Sequence, residues 1–337
     1  IFTPTSAKLY TIAGCKQPTV GRIIRRMGKP DEEEYWLKMA DGDGTVPLQS
    51  ADWPQVPPTR RFYETETKHS RMPSAPGIRD VIVGLLTNTL DVNSLPTNIT
   101  QNISSCGLPH YKIISIHSPV DINVYDAAGN HVGIGADSSV EIGIEGAAYE
   151  NIGDNKFVIV PTDADESYTI RLDATATGTF SMRVAETVGE QTMNTVYYND
   201  IPIVPESVGQ MTVTTSSADN VLQFDVSGSG VFQDVAASAV LDQTAANDLV
   251  SPTTSIRVDG LSSNRPWFRS VVEVHLTAVD DNSGVLKTEY SLDNGAAWQV
   301  YAGAFVVRGD GSHTILYSST DRAGNRENVK GETVYID

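Results

Sequence analysis

The chain is poor in cysteine, in basic residues and in long apolar runs, and none of its 337 residues sits in a Gly-x-Ser-x-Gly motif. Each shortage excludes something. Cys15 and Cys106 are the only cysteines and neither has a Cys-x-x-Cys neighbour, so a cysteine-based zinc site is excluded. The two either pair in an oxidising compartment or remain buried thiols. Lys and Arg number 24 against 42 Asp and Glu, a net charge of −18 spread along the length. That balance speaks against nucleic acid or an anionic membrane as partner. No apolar run reaches the roughly 18 residues needed to span a bilayer as a helix. The opening at Ile1 has neither a charged n-region nor an apolar h-region and reads as mid-domain sequence. Hydrophobic residues make up 40% of the chain, enough for real cores, and the length suggests about two domains.

What is present is concentrated early. Ala40-Asp41-Gly42-Asp43-Gly44-Thr45-Val46-Pro47 places an acid in a Gly-rich turn, and Thr59 to Thr65 follows as a strand-like run. Lys68-His69-Ser70-Arg71-Met72-Pro73 then opens a loop before an apolar helix. Acid, strand, histidine and helix come in the order in which an α/β-hydrolase presents its last two triad members. Asp43 and His69 are therefore the candidate catalytic residues, the carboxylate holding the imidazole in one tautomer. The competing reading is an ordinary surface turn and a strand-end histidine.

Gly42 to Ser50, Trp53, and His69 with Met72-Pro73 resemble the end of the lecithin:cholesterol acyltransferase-like lipases and acyltransferases. Leu9-Tyr10-Thr11-Ile12-Ala13-Gly14-Cys15-Lys16-Gln17-Pro18-Thr19 is similar to the strand and turn that precede the acid in that family. The resemblance covers roughly 1–92. It implies an α/β-hydrolase acting on lipid or other acyl esters, with no cofactor and no metal. In that chain order the nucleophilic serine lies upstream of Asp43, yet Ser6 is the only serine there. The expectation is a C-terminal fragment of a longer enzyme, inactive as it stands for want of the nucleophile.

Along the chain, residues 8–14 read as a buried strand. Thr19 to Arg26 and Glu34 to Ala40 read as two strands around a turn at Gly28-Lys29-Pro30-Asp31, and residues 77–86 have helical spacing. Residues 93–109, rich in Ser, Asn, Thr and Pro, read as a linker carrying two glycosylation-like triplets, at Asn98 and Asn102. Residues 110–235 alternate in short strands that favour an antiparallel sandwich. Ser118 to Asp126 resembles opening strands of modules attached to extracellular bacterial enzymes. His110, His117 and His131 lie too scattered to suggest a metal site, and Asp163 to Glu166 reads as a solvated turn before a calcium site. Residues 236–251 form a connector. Residues 252–337 resemble bacterial Ig-like modules, with a Ser283-Gly284-Val285 turn, a Tyr290-Ser291-Leu292-Asp293-Asn294-Gly295 hairpin, Trp298, and a terminal Asp321-Arg322-Ala323-Gly324-Asn325 turn. Trp298 and Tyr301 read as core rather than as a sugar platform. Asp280, Asp281 and Asp321 read as turn residues.

The fold expected is multidomain: a truncated α/β-hydrolase C-terminal portion followed by two mainly-β antiparallel sandwich (Ig-like) domains. The function expected is that of an extracellular or cell-surface serine hydrolase fragment, not membrane-spanning and not a nucleic-acid binder. Its partners would be an acyl ester or lipid substrate, with cell-envelope or polysaccharide contact through the β modules. The alternative is a non-catalytic surface protein whose β modules bind glycan or protein and whose hydrolase part is a remnant. A third role for the sandwiches is that of pure spacers.

Overall fold

The structure, a computed structural model, describes residues 8–27, 33–117, 119–162, 166–214, 221–264 and 267–337. The turn at 28–31 and the acidic stretch at 163–165 lie outside these residues. By contacts the chain divides into two compact units, 1–25 with 35–240, and 26–34 with 241–337.

The chain opens with β1 (Thr11–Gly14), the long hairpin strands β2 (Gln17–Met27) and β3 (Glu33–Gly42), and a short helix α1 (Leu48–Ala51). β4 (Arg61–Glu64), a 3-10 turn at His69–Ser74, α2 (Pro76–Thr87) and β5 (Ile99–Thr100) follow. β1 and β4 pair in parallel, Thr11 with Arg61 through Gly14 with Glu64, and β5 adds antiparallel to β4. One face of this small sheet packs on α2 through Phe62, Ile78, Val81 and Ile99. The other face gathers Ala13, Cys15, Leu48 and Tyr63. α2 starts at Pro76, whose fixed φ suits the first helical position, and ends at Asn88 in the left-handed region with φ 59°.

Residues 93–109, expected as a linker, belong to this layer. Ile99 is buried in the α2 core and pairs with Glu64, and Cys106 is bonded to Cys15. Polar composition hid a two-residue strand whose hydrogen bonds come from β4. The cysteines, left open between pairing and free thiols, are a disulfide whose members stand 91 residues apart in sequence.

A sandwich follows, built from β6 (His110–His117), β7 (Val120–Tyr125), β8 (His131–Ile134), β9 (Val140–Ile142), β10 (Ala148–Ile152) and β11 (Asn155–Pro161). Its second half holds β12 (Tyr168–Ala174), β13 (Gly178–Val188), β14 (Gln191–Ile203), β15 (Val208–Val213), β16 (Leu222–Asp225) and β17 (Gln233–Val235). One sheet runs β10-β11-β6-β13-β14 and the other β17-β16-β15-β12-β7-β8-β9. Alternate residues such as Ile114, Ile116, Ile122, Val158, Ile170, Leu172, Met182 and Val184 fill the space between them, as the period of two requires. The opposite face of β6, β11 and β13 is not solvated. Tyr111, Ile113, Phe157, Ile159 and Ala185 share a second core with Leu37 and Met39 of β3. The hairpin thus lies on the sandwich rather than beside it.

β18 (Ala239–Asp242) lies at the boundary of the two units, followed by the short helix α3 (Gln243–Ala246). The second unit contains β19 (Thr253–Asp259), β20 (Ser262–Asn264), β21 (Trp267–Phe268), β22 (Val272–Val279) and β23 (Val285–Ser291). It ends with β24 (Gln299–Val300), β25 (Phe305–Val307), β26 (Gly311–Asp321) and β27 (Lys330–Ile336). Its sheets run β19-β22-β25 and β20-β21-β27-β26-β23-β24 around Val272, Val274, Ile315, Tyr317 and Val334. Tyr301 packs against this core as expected. Trp298 does not join it: its ring stacks on Arg326, 5.1 Å away.

Candidate functional site

The parallel pair β1–β4 delivers two loops from the same end. The chain leaves β1 into the β2–β3 hairpin and returns at Asp43, which bridges in parallel to Gln17. It leaves β4 through Thr65–Lys68 to reach His69. Outside the carboxyl ends of parallel strands is where α/β sheets place ligands.

Asp43 is 5% exposed. Its Oδ1 accepts from the backbone N–H of Thr45 at 3.0 Å and of Val46 at 2.7 Å, closing an Asx turn. Its Oδ2 lies 2.7 Å from Nδ1 of His69. The backbone N–H of His69 also donates to the Asp43 carbonyl at 2.8 Å, so the two residues are tied twice. A carboxylate accepts only, so the proton of this bond is carried by Nδ1. The imidazole side chain is 49% exposed.

The turn that holds Asp43 leaves no room for substitution. A Cβ on Gly14 would stand 2.5 Å from the Asp43 Cβ, and one on Gly42 would stand 2.4 Å from the Val46 carbonyl oxygen. Gly44 has φ 88°, the left-handed region where glycine carries no steric penalty, and its N–H donates to Thr19 Oγ1 at 2.8 Å. On the histidine side, fully buried Glu64 organises the loop. Its Oε2 accepts from the Thr67 N–H at 2.6 Å, and its Oε1 accepts from Thr67 Oγ1 at 2.8 Å and Asn98 Nδ2 at 3.0 Å. Lys68 donates to the Ala147 carbonyl of the sandwich at 3.1 Å. Met72 abuts Gly14.

An acid-oriented imidazole with an accessible Nε2 can take a proton from a hydroxyl and return it to a leaving group. Among the described residues no hydroxyl is hydrogen-bonded to the ring. The other histidines do not converge. His117 bonds Asn155, while His131 bonds Asn123 at 2.9 Å and Glu141 at 3.1 Å and stacks on Tyr125.

Among the described residues two acidic groupings have metal-like spacing. In one, Asp41 stands beside Cys15 and Cys106, whose sulfurs are spent in the disulfide. In the other, Asp248, Asp280 and Asp321 bring carboxylate oxygens within 4.8 Å of one another. These oxygens serve turns: Asp280 accepts from the Gly284 N–H at 2.7 Å and Asp321 from the Asn325 N–H at 2.7 Å. Asp248 accepts from the Val250 and Ser283 N–H groups at 2.9 and 3.1 Å. Backbone amides thus hold each of the three carboxylates in place. Asp248, on the connector side of the boundary, carried no sequence signal linking it to Asp280 and Asp321, and Asp281 is not part of the group.

No protein-family model matches the chain, and no curated protein does. Among solved structures the chain is similar to the PKD1 domain of Vibrio anguillarum Epp, at 16% identity over 26% of this chain and 98% of that one, with a TM-score of 0.20. It is also similar to the fibronectin(III)-like modules of Clostridium thermocellum CbhA, at 9% identity over 52% of this chain and 87% of that one, with a TM-score of 0.23. The β-module architecture stated here rests on the strand topology above.

Proposed function

We propose that Asp43 and His69 are the acid and the base of a serine hydrolase related to the lecithin:cholesterol acyltransferase-like lipases and acyltransferases, acting on lipid or other acyl esters. The serine is supplied by sequence outside these residues, and the 337-residue chain alone turns over no ester. The observation that carries this reading is the 2.7 Å bond between His69 Nδ1 and Asp43 Oδ2 at the common end of two parallel strands. In the reaction, Nε2 of His69 takes the proton of the attacking serine and later gives it to the leaving alcohol. Asp43 holds the tautomer and stabilises the imidazolium. Water as acceptor gives a hydrolase, and a second alcohol an acyltransferase. The Cys15–Cys106 disulfide supports an oxidising, extracellular setting.

The test is hydrolysis of short-chain p-nitrophenyl esters by the full-length protein that carries this chain. His69→Ala and Asp43→Asn are each expected to lower kcat by about 10³–10⁴-fold without changing the fold. Turnover that survives both substitutions would put the ester chemistry at another site, and a full-length protein with no turnover at all would favour the non-catalytic β-module reading.

A further inference from the structure

The interior of the sandwich holds a lysine that its surroundings do not satisfy. Lys112 of β6 is 0% exposed, and its Nζ makes no hydrogen bond. It points with Ile114 and Ile116 toward the space between the sheets, opposite Val160 of β11. Glu186 of β13 places Oε2 3.7 Å from Nζ. Beyond it, Asn194 of β14 donates Nδ2 to that same Oε2 at 2.8 Å. The three stand in one row across three neighbouring strands, Lys112 opposite Glu186 and Glu186 opposite Asn194. A register shift immediately after Glu186 interrupts the β13–β14 ladder, and such bulges re-aim side chains.

The row has the parts of an acyl transfer. Burial pushes the Lys112 ammonium below its usual pKa, with the nearby Glu186 carboxylate opposing that shift, and a neutral amine is a nucleophile. An asparagine side chain is an amide, hence an acyl donor. A carboxylate bonded to the amide and 3.7 Å from the amine stands between the two as a proton carrier. The row's neighbours along and across the strands, Ile114, Val160, Val184 and Val196, belong to the buried core of the sandwich.

We propose that Lys112 and Asn194 join in an intramolecular isopeptide bond, with Glu186 as the proton-transfer group. Nζ of Lys112 attacks Cγ of Asn194, and a C–N bond forms. The Cγ–Nδ2 bond breaks, Glu186 carries a proton from the amine to Nδ2, and ammonia leaves. No oxidant, reductant or further reactant takes part. The product replaces a buried amine that lacks a hydrogen bond with a neutral amide, and it staples β6 to β14 across β13. It does not depend on the ester chemistry above.

The experiment is intact-mass measurement on the full chain, disulfide reduced, after days at pH 8. The wild type is expected to be lighter than its sequence by one ammonia, about 17 Da, and a digest to contain a branched peptide joining Lys112 to Asn194. Glu186→Gln keeps the shape of the row and removes its proton carrier, so it is expected at full mass, as are Lys112→Met and Asn194→Ser. If the lysine variant does not fold, Glu186→Gln decides. Folded wild type at full mass overturns the proposal, and so does a 17 Da loss that persists in Glu186→Gln or Asn194→Ser.

Discussion

Glu327 is a carboxylate 7% exposed in the second unit, and it has a use for every lone pair. It accepts from the backbone N–H of Thr254 and of Ser319, each at 3.0 Å, from Thr254 Oγ1, and from Lys330 Nζ at 2.7 Å. Burial alone would raise its pKa, but the bonds from Lys330, Thr254 and Ser319 together outweigh it and hold the carboxyl below its usual range. A depressed folded-state pKa means stability that is complete above the unfolded value of about 4.3 and is lost as pH falls through the lower folded value. The thermal stability of residues 241–337 is therefore expected to fall on acidification below about pH 4.3. Glu327→Gln should flatten that pH slope, and Glu327→Ala should cost about 1–3 kcal/mol at neutral pH by leaving the Thr254 and Ser319 amides without their acceptor. A pH slope unchanged by Glu327→Gln would place the acid sensitivity elsewhere. Nothing local announces this residue: it sits in Asn325-Arg326-Glu327-Asn328, which reads as a solvated turn, and its Thr254 partner is 73 residues away. Asp43 was legible for the opposite reason. Its Asx turn is closed by Thr45 and Val46, two and three residues on, and Gly42 and Gly44 flank it in sequence.

At the scale of elements, regular alternation gave away strands but not what they lie against. The β2–β3 hairpin, α2 and most sandwich strands stand where periodicity put them. β14, the longest strand of the sandwich at 13 residues, was not read, because Gln191 to Asn194 opens it with polar residues and its ladder to β13 is broken twice by register shifts. The packing of β3 on the sandwich was likewise invisible, since an apolar stripe does not name its partner. Trp36 marks that junction. It is 5% exposed, its ring lies 4.4 Å from the Arg183 guanidinium and 5.7 Å from the Tyr197 ring. Trp36→Ala is expected to destabilise the first unit by about 3–5 kcal/mol in urea unfolding, since a large buried ring leaves a cavity. Arg183→Lys should cost nearer 1 kcal/mol, the stacking share of the contact. A loss under about 1 kcal/mol for Trp36→Ala would mean that the hairpin rests on the sandwich without sharing its core.

For the whole molecule, the disulfide decides which parts unfold together. It closes a loop that contains the β2–β3 hairpin, α2, Asp43 and His69, its ends 91 positions apart in sequence, and both cysteines belong to the unit formed by 1–25 and 35–240. In the chain-entropy account, a loop of this length stabilises the fold by about 4–5 kcal/mol against its unfolded ensemble. The sequence showed two cysteines but not their distance, because the 93–109 stretch that carries Cys106 back to β1 looks like a solvated linker. The connector was expected over 236–251 with the next module from 252, whereas the contacts divide the chain after Val240 and the expected connector contains β18 and α3. Calorimetry of the full chain is expected to give two transitions, one matching residues 241–337 studied alone. Cys15→Ser with Cys106→Ser, or a dithiol reductant, should lower the other transition by more than 5 °C and leave the matching one in place, because no cysteine lies beyond 106. If both transitions fall together, the two units form one cooperative body and the disulfide steadies all of it. If neither moves, the parallel layer that presents Asp43 and His69 is held by its two small cores alone, and the acid–base geometry should survive reduction unchanged.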